Sequence, residues 1–409
     1  MILLKAEDIA VRDGATTLLA PLSLELEPGE PLVVLGETGS GKSLMAQALM
    51  GTLPPELQAR GRVAIGDRVL NAGDPARFRG LWGGTISVLP QEPWLSLDPL
   101  MRSDRQVSEA HALVRGLPGP EARARAAADL EALGLAGAGG RYPHQLSGGM
   151  AQRVAIAAAR AGGARIVIAD EPTKGLDAAR RDDVANLLLS EMGDTGGLLV
   201  ITHDLALARR IGGRLIVLRA GAVVEHGATR DVFATPRQAY TRDLFAADPE
   251  NWTPRRGTGA AGASVIRAED LAVARAGRRL FSGISLDIPA GGILGVTGPS
   301  GCGKSSLGDA LLGLVAPAQG TIARETDAHP FAFQKLYQDP VAAFPRKRPL
   351  GKTLRDTQGL SRGHGTDMEP LLDALDLDPR LLERLPGAVS GGELQRFALL
   401  RILLRQPRF

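Results

Sequence analysis

The 409-residue sequence is poor in the residues that carry redox and metal chemistry, and it has no long hydrophobic run. Its single cysteine, Cys302, rules out an internal disulfide and any cysteine-based zinc or iron–sulfur site. Aromatic residues make up 4% of the chain. No apolar stretch approaches the ~18 residues that cross a bilayer, so any membrane role has to come through partners. The net charge of +3 is too small over this length to argue for nucleic acid. Residues 1–14 lack a basic segment followed by a long apolar core, so no secretory leader is expected. Against these absences stand 44% hydrophobic and 23% charged residues, the composition of a globular protein with a real core. The length suits two or three domains.

What the chain does have is an internal repeat. Residues 2–51 and 265–313 read alike: LSLELEPGEPLVVLGETGSGKS is matched by ISLDIPAGGILGVTGPSGCGKS, and Lys42 and Lys304 lie 262 residues apart. Between the copies, residues 251–264 (NWTPRRGTGAAGAS) are rich in Gly, Ala and Pro without an apolar period, and read as a flexible tether. The expected domains are therefore 1–250 and 265–409. The apolar runs PLVVLG and ILGVTG read as buried parallel strands and EARARAAADLEALGL as a helix, which together predict an α/β fold.

Gly36-Glu37-Thr38-Gly39-Ser40-Gly41-Lys42-Ser43 follows one such strand and precedes a helical run. Gly298-Pro299-Ser300-Gly301-Cys302-Gly303-Lys304-Ser305 repeats the context. This is the P-loop pattern, in which glycines let successive N–H groups surround phosphates at a helix N-terminus. Lys42 and Lys304 are expected at the β- and γ-phosphates, and Ser43 and Ser305 on Mg²⁺. The strand ARIVIADEP ends in two carboxylates. Asp170 is placed to hold the metal and Glu171 to polarise an attacking water. Ser147-Gly148-Gly149 and Ser390-Gly391-Gly392 each open a helical stretch, offering a hydroxyl and free N–H groups as a second phosphate surface.

P-loop, LSGG-Q-R, DEP and then a lone His after a strand, in that order, resemble the ABC ATPase family, and the resemblance covers essentially the whole chain. It implies two P-loop cassettes, each with an α/β core, an antiparallel β subdomain and a helical signature subdomain. It also implies ATP with Mg²⁺ as cofactors, and head-to-tail pairing in which each ATP lies between one P-loop and the other signature. By this resemblance Gln91 and Gln338 are Q-loop residues sensing metal and γ-phosphate. Residues 175–177 form the D-loop, and His203 is the switch histidine. One composite site would hold Lys42, Asp170, Glu171 and His203 and be closed by Ser390. The other would pair Lys304 with Ser147. Two departures stand out. VRDG (11–14) and VARA (273–276) carry no aromatic to stack on adenine, and Lys174 and Gly175 stand where the family has small residues.

Ser147 and Asp170 are 23 residues apart, which places the second Walker B aspartate at 413. The second copy therefore reads as incomplete, without Walker B, D-loop or switch His, and the sequence as a fragment. The segments QEPWLSLDPL, YQDPVAAFPRKRPLGKTL, YPHQLSGGMAQR and the Pro236-x-x-x-Tyr240-Thr241 tail resemble importers of peptides, nickel or opine-like metallophores. That implies two integral-membrane permease subunits and an extracytoplasmic solute-binding protein as partners. It places the chain at the cytoplasmic face of the inner membrane, with Trp94 either against a permease or packed in the interior. Nucleic acid is not expected, although an ABC ATPase acting on ribosomes or nucleic acid, or a nucleotide-binding fragment without turnover, remains the alternative.

Overall fold

The computed structural model describes residues 2–91, 96–174, 178–253, 262–275, 277–298, 301–325, 331–360 and 366–409. The chain divides into two units, Met1–Pro254 and Arg255–Phe409.

In the first unit, β1 (Leu4–Asp13), β2 (Thr16–Leu26), β4 (Gln58–Ile65) and β5 (Arg68–Asn71) form an antiparallel sheet of order β2-β1-β4-β5. A six-stranded sheet has the order β10-β9-β3-β8-β7-β6. Its members are β3 (Leu32–Leu35), β6 (Ile86–Leu89), β7 (Ile166–Asp170), β8 (Gly197–Thr202), β9 (Arg214–Arg219) and β10 (Ala222–Ala228). All its pairings are parallel except β9 with β10.

The alternation of side chains along a strand explains why β3 is wholly apolar. Leu32 and Val34 enter one core, with β1, β2 and Met45 and Leu49 of α1 (Lys42–Met50). Val33 and Leu35 enter the other, with the helices of the opposite face. Those helices include α4 (Gly148–Ala161), α5 (Ala178–Met192) and α6 (Leu205–Ile211). α2 (Ser103–Arg115) and α3 (Gly119–Ala132) pack on α4 as a helical layer. α7 (Thr229–Ala234) and α8 (Ala239–Ala246) follow β10, and Phe233 stacks on Phe245 with ring centroids 4.4 Å apart.

The second unit has one described sheet, β12-β11-β13, antiparallel throughout. It comprises β11 (Ser264–Arg275), β12 (Arg278–Pro289) and β13 (Gln319–Arg324), with α9 (Lys304–Leu311) against β11. A separate apolar cluster joins α10 (Leu350–Leu360), α11 (Met368–Ala374) and α12 (Gly391–Leu403). Here the structure corrects one expectation. The run ILGVTG forms no strand, and Ile293, Leu294 and Val296 are 100%, 45% and 45% exposed. An apolar run becomes a strand only when neighbours take its N–H and C=O groups. In the first unit those neighbours are β8 and β9; no parallel strand occurs among the described residues of the second.

No described helix is long and apolar enough to cross a membrane.

Candidate functional site

The phosphate loop of the first unit leaves β3 and enters α1. Gly36 cannot be replaced without a clash, because a Cβ there would meet Leu218 O at 2.4 Å and Ser40 Oγ at 2.7 Å. Gly41, at φ 98°, caps α1 in a left-handed conformation that favours glycine. Lys42 is only 6% exposed. Its ammonium donates to Gly36 O at 2.7 Å, Glu37 O at 2.8 Å and Ser40 Oγ at 3.4 Å. Burial lowers the Lys42 pKa, against the raising pull of Glu171, Asp170 and Glu37.

Strand order brings the other groups to the same edge. β8 lies beside β3 and β7 lies beside β8, all three parallel, so their C-terminal ends lie together. Asp170 ends β7. Burial raises its pKa, the Ser43 hydroxyl and Lys42 counter this, and Glu171 adds to it. Asp170 Oδ1 is buried and has no hydrogen-bond partner. A hydroxyl and a carboxylate with one unsatisfied oxygen form a donor set that suits Mg²⁺, a hard ion bound through one or two carboxylates together with substrate phosphates. The residues present therefore fit that ion.

Glu171 is 8% exposed and sits at φ 49°, a left-handed conformation costly for a non-glycine residue. It is held on several sides: its N–H donates to Ile201 O at 2.8 Å, and Lys174 N donates to its carbonyl at 3.2 Å. Glu171 Oε1 lies 2.7 Å from His203 Nδ1, and Thr202 Oγ1 donates to Oε2 at 3.3 Å. The Glu171 hydrogen bond raises the His203 pKa, with burial opposing it. Glu171 and His203 also line a cavity of about 420 Å³ with Arg181 and Leu244.

Not every expected residue joins this cluster. Ser147 caps α4, its hydroxyl accepting from Met150 N at 3.4 Å, and with Gly149 it lines a different pocket. Ser390 caps α12 in the same way, Glu393 closing a reciprocal capping box. Both serines thus serve their own helices. Gln91 is exposed two residues beyond β6, and Gln338 is exposed in the second unit. In the second loop, Lys304 reaches Gly298 O at 2.7 Å, Cys302 and Ser305 are exposed, and Gly303 caps α9. Pro299 and Ser300, residues 175–177 and Trp94 lie outside the described residues.

Two residues of the site escaped the sequence reading. Thr202 is fully buried and sits beside the histidine in sequence, which was its only signal. Gln152, 1% exposed, donates its side-chain amide to Pro172 O and ties α4 to the turn after Glu171. Its place in LSGG-x-x-Q was visible, but its partner 20 residues away was not.

A family model described as ABC transporter matches residues 19–174 and 281–409. The peptidoglycan transport ATP-binding protein YejF of Agrobacterium fabrum (strain C58) is 33% identical over 445 aligned residues, covering 100% of this chain and 81% of YejF. The glutathione import ATP-binding protein GsiA of Escherichia coli (strain K12) is 32% identical, covering 95% of this chain and 72% of GsiA. Among solved structures, cbiO1 from Clostridium perfringens, part of the ABC transporter complex cbiONQ, superposes with a TM-score of 0.50 and 26% identity. It covers 61% of this chain and 96% of its own.

Proposed function

This chain belongs to the ABC transporter family as an ATP-binding cassette ATPase, and on that premise we propose that it drives uptake of a small solute through separate permease subunits. The permeases are two integral-membrane subunits fed by an extracytoplasmic solute-binding protein, and the chain works at the cytoplasmic face of the inner membrane. Of the solutes expected from the sequence, the names of YejF and GsiA favour a peptide-containing one over nickel or a metallophore.

The observation that carries the enzymatic reading is the convergence of Lys42, Asp170, Glu171 and His203 on one edge of one sheet. Lys42 is the phosphate ligand. Its ammonium rests on the carbonyls of Gly36 and Glu37 and turns to the β- and γ-phosphates of ATP. Ser43 and Asp170 would hold Mg²⁺, which would supply positive charge against the phosphate oxygens. Glu171 accepts a hydrogen bond from the attacking water. Thr202 and His203 fix its two oxygens, so the carboxylate is oriented before substrate arrives. Gln91 and Gln338 remain Q-loop candidates. Ser147, Gly148 and Gly149, with Ser390, Gly391 and Gly392, are the signature candidates.

Glu171→Gln tests this reading. Nucleotide binding is expected to persist while turnover falls by roughly 10²- to 10⁴-fold, the usual contribution of a positioned acid–base group. Undiminished hydrolysis in that variant contradicts the assignment.

A further inference from the structure

Gln152 takes no part in the proposed chemistry, yet it reaches the backbone that carries Glu171. That residue stands at φ 49°, and a left-handed non-glycine residue persists only where its surroundings over-determine it. Two ties come from the sheet and from the turn itself. Glu171 N donates to Ile201 O of β8 at 2.8 Å, and Lys174 N donates to Glu171 O at 3.2 Å. A third comes from α4, where the Gln152 side-chain amide donates to Pro172 O at 2.5 Å. Proline has no N–H, so this carbonyl is the one main-chain hydrogen-bonding group that Pro172 offers.

The contact is enclosed. Gln152 is 1% exposed, Pro172 is buried and Thr173 is 6% exposed. Removing the donor from a buried carbonyl leaves it unsatisfied, so the amide matters more here than it would at a surface. The helix that carries Gln152 is itself fastened. Arg153 donates to Leu133 O, at the cap of α3, at 3.0 Å. Ala151, Val154 and Ala155 join the core that includes Ala169 of β7. With Ser147 and Gly149 at the start of α4, Gln152 also lines a cavity of about 350 Å³. One side chain thus links the start of α4 to the turn behind Glu171.

We propose that Gln152 is a positioning residue for ATP hydrolysis, acting through Pro172. Its amide holds the Pro172 carbonyl, and that bond holds the left-handed turn. The turn keeps the Glu171 carboxylate against Thr202 and His203. The orientation of the carboxylate therefore depends on where α4 stands. This rests on the reading of Glu171 as the residue that accepts from the attacking water.

The test compares the full chain with Gln152→Met and Gln152→Leu, each alone and combined with Glu171→Gln. It follows ATP turnover, ADP binding by calorimetry and the thermal midpoint. Both substitutions fill the site with an apolar side chain of similar size and remove the amide. Alone, each is expected to lower kcat about three- to tenfold, the size of one lost hydrogen bond, with the KM for ATP and the ADP Kd within about twofold. Beside Glu171→Gln neither should remove anything further from the residual turnover, as expected when two residues act through one contact. Met and Leu differ in shape, so their midpoints need not agree, but their kcat losses should. An unmoved kcat, a Kd that weakens in step with kcat, losses that follow the midpoints, or a further loss beside Glu171→Gln each overturn the role of Gln152. Should Glu171→Gln alone turn over as fast as the parent, the reading of Glu171 falls and takes this role with it. Turnover lost in Glu171→Gln but unmoved in Gln152→Met refutes the role of Gln152 alone.

Discussion

Two copies of one loop sequence behave differently in this chain. Lys42 is 6% exposed whereas Lys304 is only half-buried, although each ammonium donates to the carbonyl of its loop's first glycine, Gly36 or Gly298. In the runs before the two loops Val33 and Leu35 are matched by Gly295 and Thr297, and even the aligned leucines differ, Leu32 being 2% exposed and Leu294 45% exposed. The loop motif alone therefore does not set its environment. Strands that come much later in the chain do, because β8 and β9 flank β3 and deliver the burial that perturbs Lys42. A P-loop becomes a low-dielectric site only when its sheet is assembled around it.

That difference can be challenged through stability. Leu32→Ala is expected to destabilise the first unit by about 2–5 kcal/mol, as buried Leu→Ala changes do. Leu294→Ala should cost no more than about 0.5 kcal/mol, the range of surface substitutions. Urea unfolding of the two variants checks this, and comparable losses would break the contrast between the loops.

A smaller effect sharpens the picture of the first site. The bond to Glu171 raises the His203 pKa above its ordinary 6.5. A group whose pKa is raised on folding contributes stability fully below its unfolded value, and that contribution fades as pH rises through the raised value. The thermal midpoint of the parent chain should therefore exceed that of His203→Gln by more near pH 6 than near pH 9. A gap that widens with pH contradicts the pairing.

Much of this was legible in the sequence because the signals are local. The P-loop glycines, the apolar strand ending in Asp170 and Glu171, and the Ser caps of α4 and α12 all depend on residues a few positions apart. What could not be read is what depends on strand neighbours. The order β10-β9-β3-β8-β7-β6, the Glu171–His203 contact across 32 residues and the left-handed backbone at Glu171 arise only in the assembled sheet. ILGVTG forms no strand for the same reason. Apolar periodicity reports a capacity to be buried, and burial itself needs a partner.

The most direct test of the central claim, that the buried Lys42 belongs to an ATP site built on the C-terminal ends of β3, β7 and β8, is nucleotide titration of the full chain beside Lys42→Ala and Lys304→Ala. Loss of the charge-assisted contacts of Lys42 should weaken ATP·Mg binding by roughly 10- to 100-fold. Lys304→Ala should leave the tight binding event within about twofold, as expected for a residue outside the site that binds it. Equal losses in both variants, or tight binding that survives Lys42→Ala and disappears with Lys304→Ala, would contradict the account.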